Sequence, residues 1–216
     1  MKEKKNYYLN VEGETEKWYF LWLQNMINNS SESRFNVRFN IEVKKDPVKH
    51  VKNITIIKDL QIICIFDRES QSKEDTNLFR AALDKMKEAE NLGKTVKCKL
   101  GYSNLSFELW MILHKTDSFA PQNSCDNYLR LINGAYDRDF ESLKIYKQER
   151  NFNYLLQSLN INDVIESVER GRIIMENCAK NSAIKEYKGY KFYDENPSLS
   201  IHEIVARILK ECGLMN

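Results

Sequence analysis

Three prolines and seven glycines in 216 residues are too few for a collagen-like, linker-like or low-complexity chain, and no internal repeat runs through the sequence. No excess of one charge exists either: 33 basic residues face 31 acidic ones, for a net charge of +2. That excludes a histone-like or tail-driven nucleic-acid binder, while a basic groove on one face stays open. Paired cysteines are missing. Cys64, Cys98, Cys125, Cys178 and Cys212 are odd in number, widely spaced and without a C-x-x-C pair, which fits a reducing cytosol better than a disulfide framework or a zinc site. His50, His114 and His202 are too few and too scattered for a histidine-rich metal centre. A Walker lysine motif is absent, which argues against ATP hydrolysis by this chain. Long apolar runs are lacking too: Met1-Lys2-Glu3-Lys4-Lys5 leads directly towards a strand. Neither signal peptide nor membrane span is expected, and a cytoplasmic location is.

What the chain does have is enough apolar surface for one core: 42% hydrophobic and 11% aromatic residues, at a length that suits a single domain with a small appendage. The apolar pattern alternates strands and helices. Residues 7–11 read as a strand; Gly13 offers a turn; Thr15 can cap a helix whose face is Trp18, Tyr19, Leu21, Trp22, Leu23, Met26 and Ile27. Phe35, Val37, Phe39, Ile41 and Val43 alternate with polar residues, as in a half-exposed strand at or near a sheet edge. Pro47 starts a short helix reaching to Lys58. Residues 60–66 are almost continuously apolar, as in a parallel strand buried on both faces. A helix capped by Asp75 or Thr76 follows and ends at Gly93. Thr95 to Leu100 form a fourth strand, Gly101-Tyr102-Ser103-Asn104 a loop, and Ser106 caps the next helix. Beyond His114 helices dominate, at 126–133, 140–148, 151–159, 162–180 and 200–212, with a possible extended stretch at 190–193. The expected fold is α/β: a layered sheet of about four mostly parallel strands with helices on both faces over residues 1–117, and a helical elaboration packed on it over 118–216.

Two strand ends carry acids. Glu12 follows the first strand; Asp67 and Glu69 close the third. Open α/β sheets place function at the carboxyl ends of their strands, and carboxylate oxygens are hard ligands suited to Mg²⁺ or Mn²⁺. Without a cation, carboxylates so crowded would repel. The bland alternative is helix capping and the helix dipole, which suits Glu14 and Glu16 in the first turn; Glu16 lies four residues past Glu12 and can reach the same site. Glu108 near its helix start points either to the acids or to its own helix dipole. His114 is a general acid–base candidate by its ordinary pKa, or a structural histidine. Arg68, between the acids, can meet a phosphate bidentately or neutralise its neighbours. Ser103 and Asn104 can touch a phosphate or orient water. Lys44 and Lys45 suit a backbone-binding surface, and Lys185, Lys188 and Lys191, interleaved with Tyr187, Tyr190 and Tyr193, can grip phosphates and stack bases or form a plain solvated surface.

Four segments in order resemble the RloB-like family of bacterial proteins, which has a Toprim-like core: Val11-Glu12-Gly13-Glu14-Thr15-Glu16 with Tyr19-Phe20; Ile65-Phe66-Asp67-Arg68-Glu69; Ser103-Asn104-Leu105-Ser106-Phe107-Glu108-Leu109-Trp110 with Leu113-His114; and Asn196-Pro197-Ser198 with His202, Ile204-Val205 and Leu209. The resemblance implies that Glu12 takes the place of the Toprim glutamate and that Asp67 and Glu69 take that of its Asp-x-Asp pair, together coordinating Mg²⁺ for phosphoryl chemistry. Two departures stand out: Glu69 replaces the second aspartate, and Leu105-Ser106 replace the usual proline and cysteine of the third motif. The resemblance further implies a nuclease acting on DNA or RNA in anti-phage defence or abortive infection, beside an AAA- or ABC-type ATPase. A catalytically inactive nucleic-acid-binding or regulatory subunit is the alternative, and nucleotidyl transfer a third reading. An aromatic-rich surface leaves room for a homodimer.

Overall fold

A computed structural model describes residues 2–54, 59–92, 95–118 and 120–216. Strand β1 (Glu3–Val11) leads into helix α1 (Glu14–Asn29), β2 (Phe35–Val43), α2 (Pro47–Asn53), β3 (Leu60–Asp67), α3 (Lys73–Glu90), β4 (Val96–Asn104) and α4 (Glu108–Leu113). Then come α5 (Asn127–Tyr136), α6 (Leu143–Tyr146), α7 (Glu149–Gln157) and α8 (Ile161–Asn181), the hairpin strands β5 (Lys185–Tyr187) and β6 (Tyr190–Phe192), the short β7 (Ser198–Leu199) and α9 (Ile201–Cys212).

The central sheet has the order β2-β1-β3-β4-β7. Its first four strands are parallel, and β7 runs antiparallel to β4, pairing Ser103 with Leu199. The alternation in β3 sorts its apolar run between two clusters. Ile63 and Ile65 join Tyr7, Leu9 and Val11 under α1, α4 and the later helices, whereas Ile62, Cys64 and Phe66 join Val48, Phe79, Leu83 and Phe192 under α2, α3 and the hairpin. Both faces are therefore covered, as continuous apolarity in a parallel strand requires.

As its alternation suggests, β2 is the outer strand. Its outward backbone is covered by amide side chains from α1: the Val37 N–H donates to Asn28 Oδ1 at 2.7 Å, Asn28 Nδ2 donates to the Val37 carbonyl at 3.0 Å, and the Phe39 N–H donates to Gln24 Oε1 at 2.7 Å. Such cover removes the template an open edge offers to another chain.

Local expectations are corrected in several places. Gly13, not Thr15, stands at the start of α1, and Ser72 caps α3 by accepting from the Asp75 N–H. Asp46 caps α2, which ends at Asn53; the expected end at Lys58 and the stop at Gly93 lie outside the described residues. The expected helix 140–148 shrinks to α6; β6 falls in the stretch 190–193 that reads as extended, while β5 and β7 add strands the sequence does not signal. The largest change is β4, which runs through Gly101-Tyr102-Ser103-Asn104 where the sequence suggests a loop. Glycine and serine are poor strand formers by propensity, but here a close neighbour favours glycine. A Cβ at Gly101 would stand 2.4 Å from Ile204 Cδ1 and 2.7 Å from Ile65 Cδ1, so α9 sits on β4 only because that side chain is missing. The boundary drawn near residue 117 falls between α4 and α5, and both the sheet and the first hydrophobic cluster continue across it through β7 and α9.

Candidate active site

The strand order reverses between β1 and β3, which lie side by side with Val11 opposite Ile65. Connections leave in opposite directions at such a point and open a crevice at the carboxyl ends of the strands. Glu12 follows Val11 and Asp67 ends β3, so both sit at that crevice. The two are tied together, the Asp67 N–H donating to Glu12 Oε2 at 3.1 Å. Beyond Gly13 the chain turns into α1, bringing Glu14 and Glu16 to the N-terminal end of that helix, where its dipole favours negative charge. Glu69 faces the same space from a residue at φ 55°, a left-handed conformation uncommon for a non-glycine side chain. Residues 12–16, Asp67, Glu69 and Lys147 line a pocket of about 260 Å³.

The carboxylates are unequally served. Glu12 Oε1 lies 2.5 Å from Lys45 Nζ, which also approaches Glu69 at 3.9 Å. Glu108, fully buried at the start of α4, accepts from Ser106 Oγ at 2.6 Å and pairs with Lys147 Nζ at 3.0 Å. Buried Glu16 accepts from Thr15 Oγ1 at 3.0 Å. Burial pushes the Glu16 carboxyl up to about 7, with the like charges of Glu108 and Glu12 adding to it. Burial likewise holds Asp67 well above the usual carboxylate range, reinforced by Glu12, Glu16 and Glu108 and opposed by Lys147. Glu69 is raised by burial and by Glu12 and Asp75, against Lys45. Both lysines are held above their ordinary values: burial opposes this, but Glu12 outweighs it at Lys45 and Glu108 at Lys147.

This donor set is chemically suited to a hard divalent cation: all oxygens, partly desolvated, and mutually repelling in a way a cation would relieve. As the side chains stand, no three Asp, Glu, His or Cys residues among those described are placed to hold one metal ion. The positive charge among them comes from Lys45 and Lys147.

Other expected site residues lie elsewhere. His114 is fully buried at the far end of α4, its Nδ1 2.8 Å from the Trp110 carbonyl and its Nε2 3.1 Å from Tyr19 Oη; burial lowers its pKa to about 4. It is packed out of reach of the pocket, which corrects its assignment as a general acid or base. Arg68 is buried rather than available to a phosphate. Its guanidinium lies 5.5 Å from the Phe79 ring centroid and 5.9 Å from that of Phe192, and it donates to Asp194 Oδ1 at 2.7 Å, the Ser70 carbonyl at 2.9 Å and Thr76 Oγ1 at 3.2 Å. Asn104 is equally occupied, its Nδ2 donating to the Asp194 and Glu195 carbonyls at 2.9 and 3.0 Å. Ser103 is buried at the end of β4. Lys185, Lys188 and Lys191 are exposed on the β5–β6 hairpin, on the α3 side of the sheet.

A family model described as RloB-like protein matches residues 7–208. The chain belongs to the RloB-like family. Neither a curated protein nor a solved structure matches it. In this RloB-like protein the first three family-like segments meet at one place: Glu12 and Glu16 from the first, Asp67 and Glu69 from the second, and Ser106 and Glu108 from the third. The fourth supplies β7 and α9, which brace β4. Sequence reasoning missed Lys147, which stands in a polar stretch after a four-residue helix with no motif around it. It also gave Lys45 a general surface role, although Lys45 reaches Glu12.

Proposed function

We propose that this RloB-like protein is a metal-dependent phosphodiesterase that hydrolyses DNA or RNA. The observation that carries this reading is the convergence of Glu12, Glu16, Asp67, Glu69 and Glu108 at the switch point of the sheet, with Asp67 and Glu16 held above the ordinary carboxylate range. Glu12, Asp67 and Glu69 would hold Mg²⁺ or Mn²⁺, with Glu16 beside them. Bound there, the ion supplies Lewis-acid stabilisation of the phosphoryl oxygens and an activated water. Glu108, buried and acceptor-bonded to Ser106, orients Lys147 towards the pocket, where its ammonium can meet a phosphate oxygen. Lys45 serves the opposite wall in the same way. Lys185, Lys188 and Lys191 give the strand a second basic contact beyond the pocket. Family membership supports a place in anti-phage defence, with an AAA- or ABC-type ATPase as partner and a cytoplasmic setting.

The lysine pairs on Glu12 and Glu108 favour one competing reading, a subunit that binds nucleic acid without cutting it, because they supply the positive charge a metal would otherwise bring. The deciding experiment is cleavage of single- and double-stranded DNA and of total RNA with Mg²⁺ or Mn²⁺, with and without the neighbouring ATPase, beside Glu12→Gln and Asp67→Asn. Metal-dependent products that vanish in both variants support the enzyme. Binding without products under every condition supports the subunit.

A further inference from the structure

The turn after β3 serves two pockets. Glu69 lines the acidic one, while Arg68 and Gln71 line a second, of about 240 Å³, between α3 and the β5–β6 hairpin. We propose that this second pocket receives a single unpaired nucleobase of the strand bound at the acidic site, and that it favours bases with an exocyclic amino group. The inference rests on the phosphodiesterase reading for the path of the strand.

The wall combines aromatic and guanidinium surfaces with carboxylate acceptors, the two kinds of contact a base makes. Tyr187 carries the Arg80 guanidinium 5.4 Å from its ring centroid, and Phe192 and Phe79 stand beside it. Aromatic rings and guanidinium planes are the surfaces on which bases stack. The acids Asp194 and Glu186 also line this pocket, beside the basic Arg68, Arg80 and Lys185, so the wall offers hydrogen-bond acceptors as well as cations. Asp194 is set in place by Arg68, which takes Oδ1 at 2.7 Å, and by Gln71, whose Nε2 donates to its carbonyl at 2.9 Å. Its Oδ2 has no partner among the described residues, and the side chain is 28% exposed. A carboxylate oxygen fixed in this way accepts from an amino group such as cytosine N4. Thymine and uracil present carbonyl oxygens at that edge and would meet the carboxylate unfavourably. Arg68 thus acts as a positioning residue for Asp194, which explains why an arginine between two site acids points away from both.

The test uses the full chain with Ca²⁺ in place of Mg²⁺, a hard cation that neutralises the acidic site, with short fluorescein-labelled oligo-dC, oligo-dA and oligo-dT read by anisotropy. Oligo-dC and oligo-dA should bind about tenfold more tightly than oligo-dT. Asp194→Asn should bring the three within about twofold, and Arg80→Ala should weaken all of them several-fold. A strand carrying 5-iodocytosine should photo-crosslink to Tyr187 or Phe192, a readout that holds even if Asp194→Asn unfolds. Free cytidine monophosphate should compete only weakly, since the strand supplies the other contacts. Equal affinity for the three oligonucleotides, crosslinks outside the hairpin and α3, or monophosphate binding as tight as the strand's would overturn the proposal. A protein that shows this preference but never cuts defeats the phosphodiesterase reading alone; one that cuts without the preference defeats this inference alone.

Discussion

The two ends of α4 handle buried polarity in opposite ways. At its start, Glu108 joins a group of carboxylates that share two lysines and are left with a surplus of negative charge. At its end, His114 sits neutral among Tyr19 and Trp110, with both ring nitrogens engaged. A buried polar group that is fully satisfied rigidifies a core, whereas a partly satisfied charged group raises the energy of the free protein. Six residues apart, one end of the helix is satisfied internally and the other carries negative charge that a cation would relieve.

The largest expected effect tests the binding end. Asp67→Asn should lower cleavage by about 10³-fold with unchanged thermal stability or a gain, because it removes one of the repelling charges; loss of folding instead would mean that the carboxylate is structural.

The two ends should also respond oppositely to pH. The His114 pKa is depressed from 6.5 to about 4, so the folded state binds its proton less readily than the unfolded one. Its contribution to stability is intact above pH 6.5 and declines as pH falls towards 4, by on the order of 3 kcal/mol. Glu16 is raised from 4.5 to about 7, so its contribution is intact below pH 4.5 and is lost as pH rises to 7, by on the order of 3 kcal/mol. Denaturant melts of metal-free protein across pH 4 to 8 should therefore show a rising contribution from His114 set against a falling one from Glu16, to which the raised carboxyls of Asp67 and Glu69 add. Glu16→Gln should shift the profile towards stability that rises with pH, relative to the unsubstituted chain, and added Mg²⁺ should do the same to the unsubstituted chain. A Glu16→Gln profile parallel to that of the unsubstituted chain would remove the contrast between the two ends.

A smaller effect is expected at Lys147. Lys147→Ala leaves Glu108 buried without its ion pair, but the lysine side chain is 43% exposed, so solvent screening limits the cost to about 1–2 kcal/mol. Adding Glu108→Gln should recover most of it, as a double-mutant cycle by urea unfolding would show. The smallest is Glu69→Gly, which relieves the left-handed backbone at φ 55° and should stabilise by about 1 kcal/mol while cleavage falls; Glu69→Gln should show the fall without the gain.

Much of this was legible in the chain. The continuous apolarity of 60–66 marks β3 as a parallel strand covered on both faces, and the alternation of 35–43 marks β2 as an outer one; both follow from how side chains of a strand divide between two faces. The acids at the ends of β1 and β3 are equally visible, because they sit immediately beyond apolar runs. The extension of β4 was not visible, since Gly101 reads as a loop signal until Ile204 is placed over it. Nor was the burial of Arg68, whose partners Phe192 and Asp194 lie far along the chain.

The sequence by itself determined that the chain is an α/β protein of the RloB-like family with acids at adjacent strand ends, because periodicity and short motifs are local properties. Only the tertiary structure decided which charges those acids meet, that His114 is core and that Lys147 is at the site. These are matters of burial and of distance between residues remote in sequence, and no local pattern encodes them.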